Sequence, residues 1–112
     1  MLPKKKRVTK ALFQTIMKEG RMLSGPFFVF RYLYPQVRIG GKDVHLAIVA
    51  PKSIAKKAIL RNKLRRKAYN IVHNIDISSG SGIFFYKKPA TLASTDELRG
   101  EMVSLLKKAK LL

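Results

Sequence analysis

Apolar positions change their period along the chain, and the changes mark out its elements. Between Thr9 and Glu19, Leu12 and Ile16 repeat at i, i+4, as do Phe13 and Met17. That spacing predicts a helix with a wide apolar face, capped by Thr9 and stopped by Gly20. Phe27 to Tyr34 is a dense aromatic and β-branched run between Gly25-Pro26 and Pro35, a strand signal. Val37-Arg38-Ile39 and Val44 to Ala50 predict two more strands across a tight turn at Gly40-Gly41, with Pro51 ending the second. Ser53 is the expected cap of a second helix from about Ile54 to His73, with an apolar stripe of Leu60, Leu64, Ala68, Ile71 and Ile75. Ser78-Ser79-Gly80-Ser81-Gly82 reads as a flexible loop, and Ile83-Phe84-Phe85-Tyr86 as a fourth strand stopped near Pro89. Ser94 or Thr95 then caps a closing helix. Its first turn holds Asp96 and Glu97 and its last Lys107, Lys108 and Lys110, an order that suits the helix dipole.

The order α-β-β-β-α-β-α predicts an α+β sandwich, a four-stranded sheet packed against helices. The 112 residues fit one domain spanning 1–112, and 46% hydrophobic content suffices for a core. Residues 1–8 read as a basic N-terminal arm.

Charge shifts attention from the fold to its partner. Lys plus Arg is 24 and Asp plus Glu is 6, a formal net charge of +18. Such a surplus repels itself in a compact chain unless a polyanion neutralises it, and solubility alone calls for far less. The absence of cysteine excludes disulfides and thiolate metal sites. His45 and His73 are the only imidazoles, and no third ligand stands at metal-site spacing from either. No protein-held metal or cofactor is therefore expected. The basic start, Met1 to Arg7, leads into no apolar segment of the kind a secretory signal has. No apolar run is long enough to cross a bilayer. The expectation is a cytoplasmic protein with no membrane partner.

The second helix carries the strongest chemistry. It is basic at Lys56, Lys57, Arg61, Lys63, Arg65, Arg66 and Lys67, and no Asp or Glu occurs from Ile54 to Ile75. A merely solvated helix mixes signs. On a helical wheel Ala58, Asn62, Arg65, Arg66 and Tyr69 share one broad face, largely opposite the apolar stripe. Arginine forks bind phosphate oxygens bidentately, lysine adds point charge, and the Asn62 amide can serve a 2′-hydroxyl or a base edge. Small Ala58 permits close approach. The pattern points to structured RNA.

The run Lys57-Ala58-Ile59-Leu60-Arg61-Asn62-Lys63-Leu64-Arg65-Arg66 resembles the signature helix of the bacterial ribonuclease P protein family, Lys-x-Ala-Val-x-Arg-Asn-Arg-x-Lys-Arg. Lys63 stands for the second Arg, Arg65 for the Lys, and Tyr69 where a further Arg is usual. Leu2-Pro3-Lys4, Phe13, Lys18-Glu19-Gly20, Ser24, Phe28-Val29-Phe30 and Lys87-Lys88-Pro89-Ala90 are similar to other parts of the family pattern, so the resemblance spans nearly the whole chain.

The resemblance implies a ribosomal protein S5 domain 2-like architecture and the role of a protein subunit in an endoribonuclease whose catalyst is RNA. Mg²⁺ would be required through the RNA subunit, and the partners would be ribonuclease P RNA and precursor tRNA, in a 1:1 complex with a monomeric protein. Lys56, Lys57, Arg61, Asn62, Lys63, Arg65, Arg66 and Lys67 would bind the RNA subunit. A cleft between the first helix and the sheet would take the 5′ leader through Phe13, Met17, Phe30 and Tyr32, aromatic faces being able to stack on unpaired bases. Met17 stands where the family often has Phe. The same apolar residues also have the periodicity of a core. The competing readings are a small basic ribosomal protein or other structured-RNA binder, and a self-sufficient ribonuclease built on His45 or His73.

Overall fold

A computed structural model of the protein describes residue 8 and residues 10–33, 44–75 and 80–109. Along them run α1 (Lys10–Glu19), β1 (Arg21–Ser24), β2 (Phe28–Leu33), β3 (Val44–Val49), α2 (Ala58–His73), β4 (Gly80–Tyr86), a 3₁₀ turn (Lys88–Leu92) and α3 (Thr95–Lys108). The strands form one sheet in the order β1-β2-β4-β3. β1 and β4 both lie antiparallel to β2, while β3 runs parallel to β4, so that α2 is the crossover of a β-α-β unit.

The pleat of β2 divides the molecule. Phe28, Phe30 and Tyr32 are buried and alternate with half-buried Val29, Arg31 and Leu33. The first set joins Leu46, Ile48, Phe84 and Tyr86 in a core that α2 closes with Ala68, Ile71 and Val72, and α3 with Leu98, Met102, Leu105 and Leu106. Phe30 stacks on Phe84 with ring centroids 4.3 Å apart and on Tyr32 at 5.4 Å. Gly82 makes room for that stack, because a Cβ there would lie 2.4 Å from the Phe30 ring. The opposite face is covered by α1, which buries Ile16 completely and sets Phe13 edge-on to Phe85.

Polar contacts also join the sheet to α2 and α3. The Tyr86 hydroxyl donates to the Leu64 carbonyl of α2 at 2.7 Å, and burial pushes its pKa well above the ordinary tyrosine value. The Tyr69 hydroxyl accepts from the Ile48 amide at 3.2 Å, where β3 is an edge strand. From α3, one oxygen of the half-buried Glu101 carboxylate accepts from the amides of Phe27 at 2.9 Å and Phe28 at 2.7 Å.

The α+β order is the expected one, but its members differ. A short strand at Arg21–Ser24 pairs with β2. The strand expected at Val37–Ile39 and the turn at Gly40-Gly41 lie outside the described residues, as do Thr9, the arm apart from Val8, and Ser78-Ser79. Gly80, Ser81 and Gly82 belong to β4 rather than to a loop. Ser53 does not cap α2. The amides of Ile54 and Ala55 turn back onto the Pro51 carbonyl, and the helix starts at Ala58 after Lys57, which makes no side-chain cap. The stripe of α2 also starts late: its first member, Leu60, is 48% exposed. For α3, Ser94 is the cap, in a reciprocal capping box with Glu97.

Candidate nucleic-acid interface

The basic residues of α2 divide into two groups by what they touch. Arg61 is half-buried, and its Nη1 donates to the carbonyls of Ala55 at 3.0 Å and Lys56 at 2.7 Å, fastening the turn that precedes the helix. Lys67 donates from Nζ to the Ala93 carbonyl at 3.0 Å, joining α2 to the residue before the α3 cap. Lys56, Lys57, Asn62, Lys63, Arg65 and Arg66 are exposed. The structure therefore brings most of the expected RNA-subunit residues onto open surface, and it employs Arg61 and Lys67 within the protein.

At the centre of the open group, Asn62, Arg65, Arg66 and Tyr69 line one shallow depression of about 210 Å³. The Asn62 Oδ1 accepts from Arg65 Nη2 and so aims that guanidinium. The Asn62 acceptor being occupied inward, its amide N–H groups remain for a ligand. The Tyr69 oxygen already accepts from the Ile48 amide, so its own O–H is the group left to donate. Two planar guanidinium forks complete a surface of donors, with no carboxylate along the helix. Such a surface suits phosphate oxygens. Tyr69 also anchors the edge strand.

The second expected site divides by strand parity. Phe13, half-buried on α1, faces Phe85 at 6.5 Å with the rings at 65°. Met17 is 39% exposed, and its carbonyl accepts from Arg31 Nη1 at 2.9 Å. Phe30 and Tyr32 are a correction: they are 0% and 5% exposed and belong to the core under α2 and α3, on the face of β2 turned away from α1. The strand residues on the α1 face include Val29, Arg31, Phe85 and the fully buried Ile83, the register partner of Arg31. Alternation along β2 shows which residues share a face, but choosing the face that α1 covers requires the tertiary arrangement.

Among the described residues no group of three or more His, Cys, Asp or Glu could hold a metal ion, and no helix is long and apolar enough to cross a membrane. His45 is half-buried on β3 and His73 exposed in the last turn of α2.

The profile of the ribonuclease P family matches residues 2–110. Among solved structures, the ribonuclease P protein of Staphylococcus aureus is similar at a TM-score of 0.76 and 28% identity, covering 95% of this chain and 96% of its own. The ribonuclease P protein of Thermotoga maritima is similar at a TM-score of 0.74 and 25% identity, covering 91% of this chain and 96% of its own. No curated protein sequence matches the chain.

Proposed function

Because this chain belongs to the ribonuclease P protein family and so is a protein subunit of that tRNA-processing endoribonuclease, we propose that it works there by holding RNA rather than by attacking it. The observation that carries this reading is the α2 surface of Asn62, Arg65, Arg66 and Tyr69, all presenting donors. Lys56, Lys57 and Lys63 extend that surface toward the start of the helix. These residues bind the RNA subunit. Arg61 and Lys67 support the same surface from inside the protein.

Catalysis on this reading lies in the RNA subunit, with the Mg²⁺ ions that RNA binds supplying the hydrolytic chemistry. Side chains of this protein bind and orient. The α1 face of the sheet, with Phe13, Met17, Val29, Arg31 and Phe85, receives the single-stranded 5′ leader of precursor tRNA. Phe13 and Phe85 offer aromatic surface to unpaired bases without reading their sequence. The protein acts as a monomer, one per RNA subunit, in the cytoplasm. The ribosomal-protein alternative draws no support from the comparisons.

Cleavage of precursor tRNA at low Mg²⁺ tests the proposal, comparing protein alone, a bacterial ribonuclease P RNA alone, and the two together. Efficient cutting at the mature 5′ end by the mixture alone is the expected result. Cutting by the protein alone, or no gain over the RNA, refutes it.

A further inference from the structure

Beside the donor surface, α2 carries a feature of the opposite character. Ile54, Leu60, Leu64 and Leu92 line a groove with Lys63 and Thr91, of about 450 Å³, between the turn before α2, the helix itself and the 3₁₀ turn. Leu92 is 93% exposed and Leu60 48%, two of the five large hydrophobic side chains exposed among the described residues, and the two that share a groove. An exposed apolar patch with fixed walls marks a contact surface. The walls here are fixed by the two basic residues drawn inward: Arg61 secures the turn at Ala55 and Lys56, and Lys67 secures Ala93 just beyond the 3₁₀ turn. Thr91 Oγ1 donates to the Lys88 carbonyl and closes the 3₁₀ turn itself.

Charge selects the occupant. Among the described residues, Lys63 and Lys67 line the groove, and no Asp or Glu does. A second copy of the chain would bring another +18 to a surface already positive. The occupant has to be anionic and yet offer a flat apolar face. The groove and the donor depression share no lining residue, and α2 supplies both, with Lys63 in the one next in sequence to Asn62 in the other. Paired RNA presents phosphates and groove edges, whereas an unpaired nucleotide presents both an apolar base face and a phosphate. We infer that this groove takes one unpaired base of the ribonuclease P RNA subunit, packed against Leu60 and Leu92 with its phosphate at Lys63. The inference rests on the reading of α2 as the RNA-subunit face.

A photoreactive benzophenone amino acid in place of Leu92 tests it in the reconstituted complex. After irradiation with and without precursor tRNA, the crosslink should map to one unpaired nucleotide of the RNA subunit in both conditions. Crosslinking to precursor tRNA, to a second protein copy or to scattered paired nucleotides overturns the assignment, as does no crosslink. Separately, Leu92→Ala should weaken RNA-subunit binding about fivefold to tenfold, since about 40–55 Å² of apolar contact with the base is lost at about 25 cal/mol per Å². The slope of log affinity against log salt should stay unchanged, because an apolar contact releases no counterions. Lys63→Ala should lower that slope by about 0.9. Unchanged RNA affinity in Leu92→Ala overturns the inference, and it does so equally if that variant instead loses binding to an acidic leucine-containing peptide. If Arg65→Ala flattens the slope while the Leu92 variants do nothing, the groove assignment alone has failed. If Arg65→Ala leaves the slope intact, the α2 reading has failed with it.

Discussion

Removing the Glu101 carboxylate should unfasten the β1–β2 turn from α3, and the structure allows the cost to be worked out. One carboxylate oxygen accepts from the amides of Phe27 and Phe28 at 2.9 and 2.7 Å. Hydrogen bonds to a charged partner contribute about 1.5–3 kcal/mol each. The site is only half-buried, so the lower figure applies and Glu101→Ala should cost about 3 kcal/mol. For a domain of this size that lowers Tm by about 10–15 °C. Glu101→Gln keeps an acceptor oxygen and should lose about half as much. Gly25 supplies the control. A Cβ there would lie 2.7 Å from Glu101 Oε1 and 3.0 Å from Oε2. Gly25→Ala therefore displaces the carboxylate and on its own should cost about 2 kcal/mol. In the Glu101→Ala background no carboxylate remains to displace, so Gly25→Ala should cost nothing further there, or stabilise slightly through the entropy of the unfolded chain. Urea unfolding of the two single variants and the double variant, followed by circular dichroism, measures the coupling. Losses that add to within about 0.5 kcal/mol would mean the two sites are independent, and the account of this turn would be wrong.

Arg65→Ala should lower the log–log salt slope for RNA-subunit binding by about 0.9 and leave Tm unchanged. Arg61→Ala should cost about 2 kcal/mol of stability through its bonds to the Ala55 and Lys56 carbonyls, so melts and salt titrations that give the reverse pattern contradict the division of α2. Met17→Ala should weaken precursors carrying a 5′ leader while sparing mature tRNA and changing stability little, because the side chain is 39% exposed; Phe13→Ala should do the same with a larger loss of stability. Equal losses on both RNAs, from binding assays, would remove α1 from the leader site. Tyr86→Phe should cost about 1 kcal/mol at neutral pH through the lost bond to Leu64. The folded protein raises the Tyr86 pKa, so its stabilising effect is complete below the unfolded value of about 10 and declines above it. Unfolding curves from pH 8 to 11 should therefore show the parent losing stability at the alkaline end relative to Tyr86→Phe.

Where the structure is set by neighbours in the chain, the sequence was a good guide. The α3 cap is an instance: Ser94 and Glu97 satisfy each other across three residues, and the aligned charges follow in the same helix. The same holds for the end of α1, where the Gly20 amide bonds the Ile16 carbonyl at 2.8 Å. Arg21–Ser24 was illegible because three of its four residues are exposed, and only pairing with β2 makes it a strand. Ser53 misled because Pro51 supplies a carbonyl that draws the next amides into a turn, delaying the helix to Ala58. The face of α2 that holds Asn62, Arg65, Arg66 and Tyr69 was readable from helical spacing alone, and the structure brings these four to one depression. Which cations would be drawn inward was not, because Ala55, Lys56 and Ala93 become partners only through the turns on either side.

That inward use of cations follows from the composition. Carboxylates are scarce beside 24 basic side chains, and Glu97 and Glu101 already accept from backbone amides, so cations drawn into the structure here bond neutral oxygens. It does so repeatedly: Arg31 on the Met17 carbonyl, Arg61 on Ala55 and Lys56, Lys67 on Ala93, and Lys87 on the Ser24 hydroxyl. Carbonyls tie elements together without cancelling charge. The mutual repulsion of the cations consequently survives folding and is reduced by an external polyanion. Had these bonds been ion pairs, the fold would have been held by the same electrostatics that RNA binding depends on, and an approaching phosphate would compete with the partners of Arg61 and Lys67. With carbonyl partners the supports of the α2 surface persist while its exposed donors engage RNA.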